Sequence, residues 1–281
     1  MYPAKFDYHR AKSIEEAESL CKGNADASFL AGGHSLIPAM KLRLSDPGAL
    51  VDISAIDDLK GISRDGDTIR IGALTTHTEV GTSDVVKDGC AALSEAAGMI
   101  GDPQVRNRGT IGGNMAHADP ASDYPGILMA LGATIVTSSR SINVDDFFTG
   151  LFETALNDGE IIKEIQVPVV GGDSGAAYAK FFNPSSRYAV VGVGALISKS
   201  NGSCSSCRIG VTGAASHAFR ASAAEKSLNG SDLGDDAVSA AAEKVSEGQE
   251  MLSDLSASAN YRTHLCSVMA KRAIAQAASR S

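Results

Sequence analysis

Two pairs of adjacent glycines, about eighty residues apart, carry the clearest chemistry in this chain. The first lies in Ala31-Gly32-Gly33-His34-Ser35-Leu36 and the second in Thr110-Ile111-Gly112-Gly113-Asn114. Adjacent glycines let successive backbone N–H groups converge with no side chain in the way, and converging N–H groups suit a phosphate. Ser35 beside the first pair, and Thr110 and Asn114 around the second, add side-chain donors on both sides of a diphosphate. One such turn is commonplace and is more often a plain tight turn than a ligand site. Two of them clamping one diphosphate point to a dinucleotide cofactor.

Flanking elements must hold each pair in place. Residues 27–31 read as a strand running into the first pair, and 36–44 as a helix that tolerates Pro38 in its first turn. Strand, glycine turn and helix together aim N–H groups outward. Ahead of them, residues 13–21 read as a short amphipathic helix, with Ser13 as N-cap and Glu16 completing a capping box; a strand at 49–53 ends the unit. The alternation over 68–73 predicts a strand and the alanine-rich 91–100 a helix, after which residues 102–109 lead into the second glycine turn. Strands are expected at 133–137 and 161–167, with Asp145-Asp146-Phe147-Phe148 turning into a short helix. Gly171-Gly172-Asp173-Ser174-Gly175 is the best linker. Beyond it come strands near 176–182, 188–198 and 206–212, then helices at 221–228, 235–248 and 261–278, the pattern of a separate α+β unit.

The totals exclude several function classes. Of 281 residues, 43% are apolar and 21% charged, an ordinary globular balance. With 25 Lys and Arg against 33 Asp and Glu the net charge is −8, which disfavours a nucleic-acid partner. The opening residues lack the apolar core of a signal peptide, and the longest apolar run, 188–197, is far too short to span a membrane, so a cytoplasmic protein is expected. The five cysteines are odd in number and mostly isolated, as reduced thiols would be. Cys204-Ser205-Ser206-Cys207 invites a redox reading, but a thioredoxin-like motif is followed by a helix and here a strand continues. His77, His117 and His217 share no ligand spacing and are read as structural or solvent-facing, so neither a metal site nor a catalytic set is assigned.

Taken together, the two glycine motifs and Asp119-Pro120-Ala121-Ser122-Asp123 resemble the FAD-binding medium subunits of molybdenum hydroxylases. The carbon monoxide dehydrogenase pattern is the nearest, and the FAD domain of xanthine dehydrogenase is more distant. The likeness runs from Phe6-Asp7-Tyr8-His9 to the last helix. It implies an α+β fold: two FAD-binding subdomains of the vanillyl-alcohol oxidase type, at 1–57 and 58–172, and a C-terminal α+β domain with an antiparallel sheet and helices at 173–281. It also implies an oxidoreductase subunit that binds FAD noncovalently and touches no organic substrate. Partner subunits would carry a molybdenum cofactor and [2Fe-2S] clusters, in a dimer of heterotrimers, with an external electron acceptor.

By the same resemblance Ala31, Gly32, Gly33, His34, Ser35 and Leu36 hold the cofactor from one side, and Thr110, Ile111, Gly112, Gly113 and Asn114 from the other. His34 contributes backbone rather than a covalent link. Asp123 matches a polar contact to FAD, its alternative being a cap on the helix that follows. Ile100 and Ile162 match apolar positions near the flavin, where plain core packing competes. Lys180 matches a cation near the isoalloxazine, its alternative an exposed strand lysine, and Tyr188 matches an aromatic over the ring. The cysteine-rich insertion of the 4-hydroxybenzoyl-CoA reductase branch has no counterpart. Two rival functions are a self-contained flavin oxidase or NADPH-dependent reductase of this fold, which needs a substrate base within the chain, and an assembly module that has lost the cofactor.

Overall fold

Three main sheets organise the chain in the computed structural model, which describes residues 2–281. The first is parallel: Ala49–Asp52 lies between Asp7–Arg10 and Ala27–Leu30. The middle strand is buried along its whole length, as a parallel strand covered on both faces must be. The helices Ile14–Gly23 and Leu36–Lys41 follow the two outer strands. Ser13 caps the first of these by accepting from the Glu16 N–H, but the Glu16 carboxylate bonds the Lys12 N–H at 2.7 Å, so the reciprocal half of the expected capping box falls one residue early.

The second sheet is antiparallel, in the order Ile62–Asp65, Thr68–Gly72, Ile162–Pro168, Thr134–Thr137, Ser141–Asn143. Its central strand comes about ninety residues after the neighbour it pairs with, Thr68–Gly72. The largest apolar core lies between this sheet and the helices Ala91–Gly98, Ile111–His117 and Asp123–Leu131. Residues 145–148 are not a turn into a helix. A short 3-10 turn, Val144–Asp146, leads into a strand, Phe148–Gly150, paired with Glu153–Thr154.

The third sheet runs antiparallel as Ser174–Phe182, Ala189–Ser200, Ser203–Thr212, Phe219–Arg220. The 21-residue helix Ala259–Ser279 joins its core. Asp235–Ala242 stops six residues short of the helix expected to reach 248. The expected fold class is the observed one, a mixed α/β chain with a C-terminal antiparallel sheet.

The helix Asp123–Leu131 joins these parts. All nine of its residues are buried, because helices and the second sheet cover one side and the third sheet covers the other. It approaches that sheet so closely that a Cβ on Gly210 would lie 2.2 Å from the Gly126 carbonyl oxygen. Glycine there replaces side-chain packing with backbone-to-backbone contact.

Candidate functional site

The two glycine segments, distant in sequence, meet in space. Segment 109–112 is stitched to 73–77: the His77 N–H donates to the Gly109 carbonyl at 3.0 Å, Ile111 to Thr75 at 3.0 Å and Gly112 to Ala73 at 2.8 Å. Gly32 then lies flat on the same segment, where a Cβ would fall 1.9 Å from the Arg108 carbonyl oxygen. A Cβ on Gly113 would lie 3.8 Å from that of Ala31. Between these segments opens a cleft of about 610 Å³.

The two segments present different groups to the cleft. Gly33 takes φ +71°, a left-handed conformation that reverses the chain between the strand Ala27–Leu30 and the helix Leu36–Lys41. Among the described residues, the backbone N–H groups of Gly32, Gly33, His34, Ser35 and Leu36 have no protein acceptor. Five consecutive unpaired donors beside a cleft form a concave anion-binding surface, and dry burial of so many would be costly.

The second pair is not a turn. Gly112 and Gly113 lie in the first turn of the helix Ile111–His117, capped by Thr110, whose hydroxyl oxygen accepts from Gly113 at 3.1 Å. The amides of Ile111, Gly112, Gly113 and Asn114 are therefore all spent inside the protein. This segment contributes side chains and clearance. The Asn114 Oδ1 accepts from Ser122 at 2.5 Å, which leaves the Asn114 amide nitrogen for a ligand.

Fourteen of the sixteen residues singled out from the sequence line this one cleft: Ala31 to Leu36, Ile100, Thr110, Gly112 to Asn114, Asp123, Ile162 and Tyr188. Ile111 and Lys180 do not. The Ile111 side chain is fully buried in the large core. Lys180 is neither an exposed strand lysine nor a free cation in the cleft: its ammonium donates to Asp123 at 2.7 Å and to the Met99 carbonyl at 3.1 Å, and its side chain is only 3% exposed. Asp123 is the first residue of its helix rather than its cap, and its other oxygen accepts from Tyr178 at 2.7 Å. Burial raises the Asp123 carboxyl above the usual carboxylate range, and Lys180 and the hydrogen bonds from Lys180 and Tyr178 offset that only in part. The cleft thus meets a carboxylate whose charge is compensated from behind.

Other walls come from parts of the chain with no glycine signal. Leu156 to Ile162 forms one of them. It is braced by Glu160, whose carboxylate takes hydrogen bonds from the Arg140 guanidinium, the Thr137 and Ser139 hydroxyls and the Asn157 amide. Burial alone would raise this carboxyl, but those partners outweigh it and hold it down to about 2. Tyr188, 43% exposed, stands with Ser186 and Arg187 where the third sheet reaches the cleft, and burial together with the negative charge of Asp119 pushes its phenol up.

His77 also lines the cleft, only 3% exposed, with its imidazole pushed down to about 4 by burial and by His34 and Arg106. The reading of His77 as structural or solvent-facing did not assign it to the cleft; of those two alternatives the structure excludes the solvent-facing one. The available signal was Thr76-His77-Thr78-Glu79, a capping box that fixes His77 as the first residue of the helix His77–Thr82. Cys204 and Cys207 are buried in the C-terminal core, their thiols turned to the Ser206 and Glu225 carbonyls.

Comparison with known proteins gives two family matches. The family described as FAD binding domain in molybdopterin dehydrogenase matches residues 4–170, and the CO dehydrogenase flavoprotein C-terminal domain matches 176–277. The chain is 39% identical over 279 residues to the carbon monoxide dehydrogenase medium chain of Hydrogenophaga pseudoflava, covering 98% of this chain and 97% of that one. It is 38% identical over 287 residues to subunit alpha of the 6-hydroxypseudooxynicotine dehydrogenase complex of Paenarthrobacter nicotinovorans, covering 100% and 97%. Among solved structures, a carbon monoxide dehydrogenase from Hydrogenophaga pseudoflava, in a form that lacks the Mo-pyranopterin moiety, contains a chain that superposes with a TM-score of 0.97 at 41% identity. That match covers 100% of this chain and 99% of the other.

Proposed function

This chain belongs to the family of FAD-binding medium subunits of molybdenum hydroxylases, and from that premise we propose that it relays electrons from iron–sulfur clusters of a partner subunit, through FAD, to an external acceptor. The observation that carries the reading is the row of five unpaired amides from Gly32 to Leu36 on the cleft wall, the donor set that a diphosphate takes up. Bound flavin supplies a centre able to take electrons one at a time and give them up singly or in pairs.

The protein's own part is to bind and to shield. The amides of the first segment receive the diphosphate, and Thr110 and Asn114 add side-chain donors across the cleft. Ile100 and Ile162 give apolar surface to a ring, Tyr188 stands at its edge, and Asp123, held by Lys180 and Tyr178, offers a fixed acceptor. No covalent link is needed, and His34, whose Nδ1 turns to the Gly32 carbonyl at 3.4 Å, serves through its backbone. On this reading the chain divides into FAD-binding subdomains at 1–57 and 58–172 and a C-terminal domain at 173–281, and works in a dimer of heterotrimers with a molybdenum subunit and an iron–sulfur subunit. Two relatives nearly equal in identity are named for different substrates, carbon monoxide and 6-hydroxypseudooxynicotine, so substrate choice is assigned to the molybdenum subunit.

Gly113→Val tests the assignment, because the added side chain enters where a Cβ is already 2.8 Å from the Thr110 hydroxyl. In the purified complex the variant is expected to lose the flavin absorbance. Its iron–sulfur centres should still bleach on adding substrate, while reduction of the acceptor stops. A Gly113→Val complex that keeps its full flavin complement refutes the cleft assignment.

A further inference from the structure

His77 has an unexplained feature: its Nδ1 is completely buried and has no hydrogen-bond partner. The ring packs edge-on against Tyr124, centroids 5.3 Å apart at 61°, and the Tyr124 hydroxyl is likewise buried without a partner. Its Nε2 reaches Gly109, where a Cβ would come within 2.6 Å of it; both residues line the cleft. The backbone N–H of His77 is already bonded to the Gly109 carbonyl, which fixes the ring beside the second glycine segment. His34, on the first segment, and Arg106 are the charged or titratable groups that act on it, and with burial they keep the imidazole neutral at neutral pH.

A neutral imidazole carries one N–H, on one nitrogen or the other. On Nδ1 it would be a buried donor with nothing to receive it, an arrangement that folded proteins avoid more strictly than an unused acceptor. The proton therefore belongs on Nε2, the nitrogen at the cleft wall, which has no protein acceptor among the described residues. We propose that His77 is a binding residue for the dinucleotide, donating its Nε2–H to an oxygen of the diphosphate between the two glycine segments. The inference rests on the flavin-subunit reading above. It adds a donor that brings no charge of its own into a cleft whose neighbouring carboxylate is already balanced.

The test uses the complex as purified, stripped of flavin and titrated with FAD. His77→Leu is expected to weaken FAD binding about tenfold to a hundredfold, the loss of one hydrogen bond to a charged acceptor. His77→Gln, whose amide nitrogen reaches the position of Nε2, is expected to stay within a few-fold of the parent. Independently of any variant's ability to assemble, long-range 15N–1H correlation on the histidine-labelled full chain at pH 7 should show His77 protonated on Nε2 and bare on Nδ1. A proton on Nδ1, a Leu variant within twofold of the parent, or a Gln variant as weak as Leu overturns the proposal. A parent complex that takes up no FAD overturns the flavin reading instead, and does so before any substitution is made.

Discussion

A methyl group at position 32 would sit 1.9 Å from the Arg108 carbonyl oxygen, so one hydrogen atom on Gly32 decides whether the two glycine segments can touch. Gly32→Ala is expected to destabilise the protein by about 3 kcal/mol, the upper end of overpacking costs, and to lower flavin content. Thermal melts and absorbance at the flavin bands check both effects. The pair of Lys180 and Asp123, with side chains 3% and 4% exposed, allows a second prediction at this scale. Lys180→Met leaves a buried carboxylate uncompensated and should cost about 3–5 kcal/mol by urea denaturation, part of which Asp123→Asn recovers in the double variant. A loss below about 1 kcal/mol would mean that the pair is not buried as described. Much of the site was legible residue by residue, because glycine pairs and flanking hydroxyls leave a local trace. Lys180 was not, since whether a strand lysine faces solvent or a carboxylate depends on a residue 57 positions away. For His77 the neighbouring capping box marks a helix start, but that the start faces the cleft depends on the Gly109 segment about thirty residues on.

Whole elements show where local signals end. The strand, turn and helix around the first pair could be read directly, since strand pattern, glycine and helix start follow one another without interruption. The second pair looked the same but begins a helix, because Thr110 caps it and segment 73–77 takes up its amides, a partner no short window contains. Of the wall from Leu156 to Ile162 only Ile162, at the start of an expected strand, was singled out from the sequence; the rest is held by Glu160, whose partners Thr137, Ser139 and Arg140 lie about twenty residues away. The Glu160 carboxyl lies near 2 in the folded protein against 4.5 in the unfolded chain, so the stabilisation is complete above pH 4.5 and is lost as pH falls towards 2. Glu160→Gln is therefore expected to destabilise the protein at pH 7, with the gap to the parent closing below pH 4.5 when denaturant midpoints are compared across pH. A gap that stays constant down to pH 2 would show that the carboxylate contributes no charge-dependent stability.

At the scale of the molecule, composition and periodicity were enough to indicate a mixed fold with strands before helices in its last third, but not the order of strands. The strand Ile162–Pro168 lies at the middle of its sheet between partners drawn from both sides of a long excursion, and pairing over such separations is decided by packing. If the chain is one subunit of a molybdenum hydroxylase, affinity purification at native expression should bring down two further polypeptides, one with molybdenum and one with iron, in constant ratio. Recovery of the chain by itself with full flavin and full turnover of a small donor would favour a self-contained oxidase.

Because the helix Asp123–Leu131 is covered on one side by residues made after it, and Asp123 at its start is bonded by Tyr178 and Lys180, the cleft has a chronology as well as a shape. A ribosome that has released only the first 170 residues has emitted most of the glycine machinery but not its back wall, and a helix buried along its whole length still lacks the sheet that shelters it. Loading must then wait for the final third of translation. Nascent chains stopped short of that point should be captured by chaperones and be free of yellow colour, however complete their phosphate-binding motifs.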